Sequence, residues 1–203
     1  MSVEICAVVD RVPADLAPAR AVGTGPYVVV IDASSDDALE ERLASRLALF
    51  GALRTVACLP FRLGSVVADD EAALLWLVER REVIEQALAR AAARVEFDLH
   101  LSTTSDGDAH ATEAEGPGTR HLRSLAANYA RLSADQSRRA LDACRDLPAV
   151  DETAVVAEDG FIAFLVADAS AFARATSTVR LDGARWSGPW PAFTFAARWL
   201  EVT

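Results

Sequence analysis

Apolar and polar positions alternate along this chain in two rhythms, and each change of rhythm marks an element. VEICAVVD carries Val3, Ile5, Ala7 and Val9 at period two, which predicts a first strand. PYVVVID is apolar on both sides, as an interior strand requires, and GTGP marks the loop before it. SSDDALEERLASRLALFG opens on Ser and Asp and closes on Gly51. Its Leu39, Leu43, Leu47 and Phe50 recur at helical spacing, predicting a helix that buries this stripe. RTVACLPFRLGSVV predicts a strand interrupted or ended by Pro60. ADDEAALLWLVERREVIEQALARAAAR predicts one long helix, with acids in its first turn and Arg90 and Arg94 in its last. Leu74, Leu77 and Ile84 form its sheet-facing side, while Trp76 and Val83 point elsewhere. VEFDLHL then alternates Val95, Phe97, Leu99 and Leu101 inward with Glu96, Asp98 and His100 outward.

This order, β-β-α-β-α-β, predicts a ferredoxin-like α+β half over residues 1–101. STTSDGDAHATEAEGPG has no apolar periodicity and reads as a flexible acidic linker, residues 102–118. Residues 119–203 begin with a helical pattern through Leu122, Leu125, Tyr129 and Leu132, with a capping box at SADQ near Ser133. TAVVAEDGFIAFLV predicts an antiparallel hairpin turning at Asp159-Gly160, and a short helix, ASAFARATSTV, follows. A final strand would place Phe193, Phe195, Ala197 and Trp199 on one face. The fold class expected is therefore α+β in two small halves.

Charge narrows the partners. With 30 acidic and 20 basic residues the net charge is −10, so nucleic acid and anionic membrane surfaces are poor partners. No run approaches the roughly 18 apolar residues of a membrane span. MSVEICAVVDRVPAD lacks a basic segment and carries acids in its apolar stretch, unlike a signal peptide. Cys6, Cys58 and Cys144 are odd in number and widely spaced, which points to buried reduced thiols and a cytoplasmic setting. No Ser, Cys or His sits in a nucleophile motif, and GTG is not followed by a helix as a phosphate loop requires. His100, flanked by Glu96 and Asp98, reads as the solvated side of a strand, and His110 and His121 lack metal-ligand spacing. The expectation is no catalytic residue, no cofactor and no metal.

Two stretches remain. AALLWLV, with Leu75 and Trp76, is apolar nearly all round, and ARWSGPWPAFTF packs Trp186, Trp190 and Phe193 into twelve residues. Each suits either a buried core or a surface that grips an apolar partner.

LPFRLGSVVADDEAALLWL, then RVEFDLHL, then SGPWPAFTF, in that order along the chain, resembles the GvpF/GvpL family of gas vesicle proteins. The matching positions are Leu59, Pro60, Arg62, Gly64 and Val66, then Glu96, then Gly188, Pro189, Trp190, Pro191 and Phe195. Phe61-Leu63 and Ala192-Phe193 depart from the family's usual residues. The resemblance implies an accessory protein of gas vesicle assembly, in the cytoplasm and at the vesicle. Its implied partners are the apolar shell protein GvpA, kept from aggregating and brought to nucleation, and other gas vesicle accessory proteins. Candidate interface residues are Arg62, Leu75, Trp76, Trp186, Trp190 and Phe193. The rival readings are a scaffold linking accessory proteins and a small-ligand-binding α+β domain.

Overall fold

The computed structural model describes residues 2–33, 38–101, 135–147, 155–158 and 161–201. The chain is α+β and forms two units, residues 1–96 with 189–203 and residues 97–188. The sequence-derived linker, 102–118, lies outside the described residues.

In the first unit, β1 (Val3–Val9), β2 (Arg20–Val22), β3 (Tyr27–Asp32), β4 (Cys58–Pro60) and β5 (Val66–Val67) form an antiparallel sheet. Its order is β2-β3-β1-β4, with β5 also on β1. All of β1 is buried, so both faces of the sheet are covered. Register explains how. Val8 lies opposite Val28 and Ile5 opposite Val30, while Val9, Ala7 and Glu4 lie opposite Tyr27, Val29 and Ile31. Directly opposed residues share a face, so these are the two faces. The pairing shifts between Ile5 and Ala7, which lets Glu4 and Ala7 point the same way. The single face predicted through Val3, Ile5, Ala7 and Val9 is broken by that shift.

Helix α1 (Leu39–Ala52), continued by one 3-10 turn at Leu53–Thr55, covers the Glu4 face. Phe50 and Leu53 cluster there with Ala7, Val9, Val29 and Cys58. The expected stripe is buried at Phe50 but corrected elsewhere: Leu39, Leu43 and Leu47 are 60%, 45% and 59% exposed, and Arg46 is buried in their place. The cause is Glu4, a buried carboxylate that draws Arg42 and Arg46 inward and so sets the rotation of the helix.

Two helices, α2 (Asp70–Glu79) and α3 (Arg81–Ala91), stand where one was predicted. The break is at Arg80, φ −113° and ψ 14°. Buried Ala73, Leu77, Ile84, Leu88 and Ala91 keep helical spacing through it, so the apolar pattern does not register the break. Asp69 caps α2, accepting from Ala72 N at 2.8 Å. Arg20, on the face opposite Glu4, holds Asp70 by two hydrogen bonds of 3.0 and 2.8 Å, which sets α2 on that face. Leu74, expected to face the sheet, is 38% exposed; Leu77 and Ile84 are buried as expected.

The second unit contains most of β6 (Val95–Leu101) and of β9 (Ala184–Trp190), with β7 (Val155–Glu158) and β8 (Phe161–Val166), in the order β7-β8-β6-β9. β7 and β8 pair antiparallel with Glu158 opposite Phe161, the hairpin the sequence predicts. Residues 135–143 are helical and count as α4. α5 (Ala169–Thr176) is capped by Asp168, which accepts from Ala171 N at 2.8 Å. Its core is aromatic: Phe164, Phe172 and Trp186 lie with ring centroids 5.5–5.7 Å apart, and Phe97 sits 5.0 Å from Phe172.

The chain's end differs most from expectation. Residues Ala184–Trp190, read partly as a turn, are β9, and Phe193–Glu201, read as a strand, is a helix, α6, packed on α3 and β4. Ala192, Phe195 and Ala196 are the buried positions, spaced i, i+3, i+4, and Trp199, half-buried, continues that spacing.

Candidate interaction surfaces

Three places in the first unit collect the side chains that matter. The first is α2. Its outward side carries Leu74, Leu75 and Val78, 38%, 58% and 58% exposed, and neighbouring β5 adds Val66 at 50%. Trp76 is half-buried, held edge-to-face by Phe61 at 5.2 Å, with the Arg80 guanidinium 5.5 Å from its ring. Phe61 precedes exposed Arg62 in the β4–β5 loop. Leu75, Trp76 and the Arg62 loop thus share one neighbourhood, in which a rigid indole sits beside uncovered aliphatic side chains.

The second is a cleft of about 500 Å³ beside Trp190. Buried Leu53, Cys58 and Ala91 line it with Pro189, Pro191 and exposed Arg11, Arg54 and Arg94. The α3–β6 turn at its edge places Ala93 at φ 55°, and Arg94 N returns a hydrogen bond to Ala91 O at 3.1 Å. Pro on either side restricts the Trp190 backbone, and β9 ends there. Glu96, predicted to face outward, is 1% exposed. It caps α6: its carboxylate accepts from Thr194 N at 2.9 Å and from Thr194 Oγ1 at 2.8 Å. Phe193 meets Phe50 edge-on at 4.9 Å and packs against the α1 core cluster. Trp190 lies along the cleft while Phe193 belongs to the core.

The third was not anticipated from sequence. Glu4, 2% exposed, accepts from Gly64 N at 2.6 Å, Arg46 Nη2 at 2.7 Å and Arg42 Nη2 at 3.0 Å. Burial pushes its pKa up, but the Gly64, Arg46 and Arg42 hydrogen bonds outweigh it and hold the carboxyl below its ordinary value. One signal was available: an acid inside an otherwise apolar strand, VEICAVV.

Trp186, the remaining sequence candidate, lies in the aromatic core of the second unit. There His100 is exposed, with Nε2 2.9 Å from Ser187 Oγ. Among the described residues no group of three or more His, Cys, Asp or Glu is placed to hold a metal ion, and no helix is long and apolar enough to cross a membrane.

The sequence matches the gas vesicle synthesis protein GvpL/GvpF family over residues 4–159. No curated protein matches it significantly. Two solved structures are similar. The gas vesicle protein GvpF from Anabaena sp. PCC7120 is 16% identical with a TM-score of 0.60, covering 96% of this chain and 98% of that one. GvpF from Microcystis aeruginosa is 14% identical with a TM-score of 0.64, at the same coverage. At such identities the likeness is one of fold.

Proposed function

The chain belongs to the gas vesicle GvpL/GvpF family, and on that premise we propose that it is an accessory protein of vesicle assembly that binds the apolar shell protein GvpA. In this role it limits GvpA aggregation and supports nucleation, in the cytoplasm and at the vesicle, without catalysis, cofactor or metal. The observation that carries the reading is the outward side of α2, where Leu74, Leu75 and Val78 lie uncovered beside a clamped Trp76. Fully burying one such aliphatic side chain contributes about 1.5–3 kcal/mol, so a few of them suffice for a reversible hold on an apolar client. The net charge of −10 keeps the carrier itself soluble.

The test is co-expression with GvpA, scoring the GvpA that stays soluble, for wild type and for Leu75→Glu with Val78→Glu. Both side chains are exposed, so folding stability should change by less than about 0.5 kcal/mol. Soluble GvpA should fall. Unchanged GvpA solubility with the folded double variant would overturn the α2 assignment.

One observation favours a second reading, that of a scaffold among accessory proteins. The Trp190 cleft sets three arginines beside an indole and two prolines, a combination suited to an acidic peptide rather than an apolar shell subunit. Pull-down of accessory proteins that fails with Arg54→Glu, while GvpA capture persists, is the result this reading expects.

A further inference from the structure

Burying Arg46 leaves the leucines of α1 outside. Leu43 and Leu47 are exposed, and so are Ala44, Ala48 and Gly51, which share that outward side. The charges of this side stand at its two ends. Glu40 and Glu41 occupy the first turn. Arg54 lies in the 3-10 turn that follows the helix, and Arg11 donates to the Thr55 carbonyl beside it.

Gly51 lies within α1, where glycine is the least favourable residue after proline. A Cβ there would meet nothing within 4 Å, so packing inside the chain gives no reason for its absence. Close approach of another backbone does. Ala44 stands seven positions earlier, two turns back on nearly the same line of the helix. Leu47 and Ala48 flank that line on either side.

We infer that this side of α1 pairs antiparallel with α1 of a second copy of the chain, about a two-fold axis passing between Leu47 and Ala48. In that register Ala44 of each copy lies level with Gly51 of the other, and the backbones approach along a midline of small residues. Beside the midline, Leu47 of each copy packs on the other. The acidic first turn of each helix meets the Arg54 and Arg11 end of its partner, whereas a parallel pair would set acid against acid. An apolar client has no use for oppositely charged ends; a second copy does. Each chain carries a net charge of −10, but the facing charges offset one another and the remainder is screened beyond about 8 Å at physiological salt. Two helices about 20 Å long bury less than the roughly 1,200 Å² of a stable interface, so the dissociation constant should be on the order of 10–100 μM. This contact is independent of the α2 surface. Arg54 also lines the Trp190 cleft, so Leu47 and Gly51 are the positions to change.

The experiment is sedimentation equilibrium of the whole protein, from about 5 to about 500 μM in about 0.15 M salt. The average mass should rise with concentration toward twice that of one chain. Leu47→Glu alters a side chain exposed in the single chain, so it should fold normally and associate about tenfold or more weakly. Gly51→Gln should move two readouts in opposite directions. A better helix former in open space raises the thermal midpoint, while its bulk at the midline weakens association about tenfold or more. Leu75→Glu with Val78→Glu should associate as wild type does, which keeps this surface distinct from the α2 assignment. A monomer throughout the range, wild-type association by folded Leu47→Glu or Gly51→Gln, or association lost in the folded α2 double variant would overturn the inference.

Discussion

Removing the Glu96 carboxylate should loosen the end of the chain first. Glu96 is 1% exposed and reaches α6 through Thr194 N and Thr194 Oγ1, at 2.9 and 2.8 Å. A hydrogen bond to a charged group contributes about 1.5–3 kcal/mol, and loss of a helix N-cap alone costs about 0.5–2 kcal/mol. Thr194 is only half-buried, so water can recover part of what Glu96→Ala removes. We expect Glu96→Ala to cost roughly 2–4 kcal/mol, combining the cap, the lost charge and the unfilled volume. Glu96→Gln keeps the shape and one acceptor oxygen but loses the charge facing the helix terminus. It should cost about 1–2 kcal/mol. Urea melts give both values, and amide hydrogen exchange locates them. Exchange across Phe193–Glu201 should accelerate more than exchange across β1 and β3, because the cap acts on α6 and not on the sheet. Glu96→Ala within about 0.5 kcal/mol of wild type, or exchange that rises equally in the sheet, would refute the capping argument.

Four further outcomes follow from buried or strained groups. Glu4 has a folded-state pKa below its ordinary value of 4.5, so its stabilisation is fully present above that value and is lost as pH falls through the folded one. Urea melts from about pH 7 to about pH 3 should show this acid slope in wild type and lose part of it in Glu4→Gln. Burial pushes the Cys58 thiol up to about 12, and those of Cys6 and Cys144 up to about 11. All three should therefore resist iodoacetamide at neutral pH until urea unfolds the chain, and rapid native labelling of Cys58 would contradict its burial. Ala93, at φ 55°, should accept Gly with a gain of about 0.5–1 kcal/mol in a urea melt. Gly23→Ala should lose more than about 2 kcal/mol, since at φ 120° an added Cβ would stand 2.9 Å from the Pro26 carbonyl oxygen.

What the sequence disclosed and what it concealed divide along one physical line. Period two and period 3.6 report whether a segment has an apolar side, and they located β1, β3, β6, α1, α3 and the β7–β8 hairpin. They do not report which side is buried when a charge is buried too. In α1 the Leu39, Leu43 and Leu47 stripe is the more apolar, yet it faces out because Arg46 must reach Glu4 across forty-two positions. Glu96 misled for the same reason, a polar side chain buried by a partner ninety-eight positions away. The α6 error had a local cause. Phe193, Phe195 and Ala197 suit a strand, and the competing helical set, Ala192, Phe195, Ala196 and Trp199, was equally present. A capping carboxylate from elsewhere in the chain favours the helix.

The three stretches that carry the family resemblance now have separate physical reasons, and most of them concern stability. Gly64, at φ 87°, has open space where a Cβ would be, so it is the backbone conformation that requires glycine there. In that conformation its N–H reaches Glu4 at 2.6 Å. Leu59 and Pro60 are buried in β4, against which α6 packs. Glu96 fixes the start of that same α6, and Phe193 in its first turn closes onto Phe50. Pro60, Gly64, Glu96 and Phe193 thus meet around the Glu4 face of the sheet and the α6 cap, where they hold the fold. A shell-protein contact needs apolar area that folding leaves uncovered, and these residues have largely spent theirs. The side of α2 bearing Leu74, Leu75 and Val78 has not, and it stands beside Trp76, which Phe61 holds edge-to-face. On the proposed GvpA-binding reading the two roles separate under substitution: changes at Gly64 or Glu96 should lower GvpA capture only through lost stability, whereas changes at Leu75 and Val78 should lower it without any.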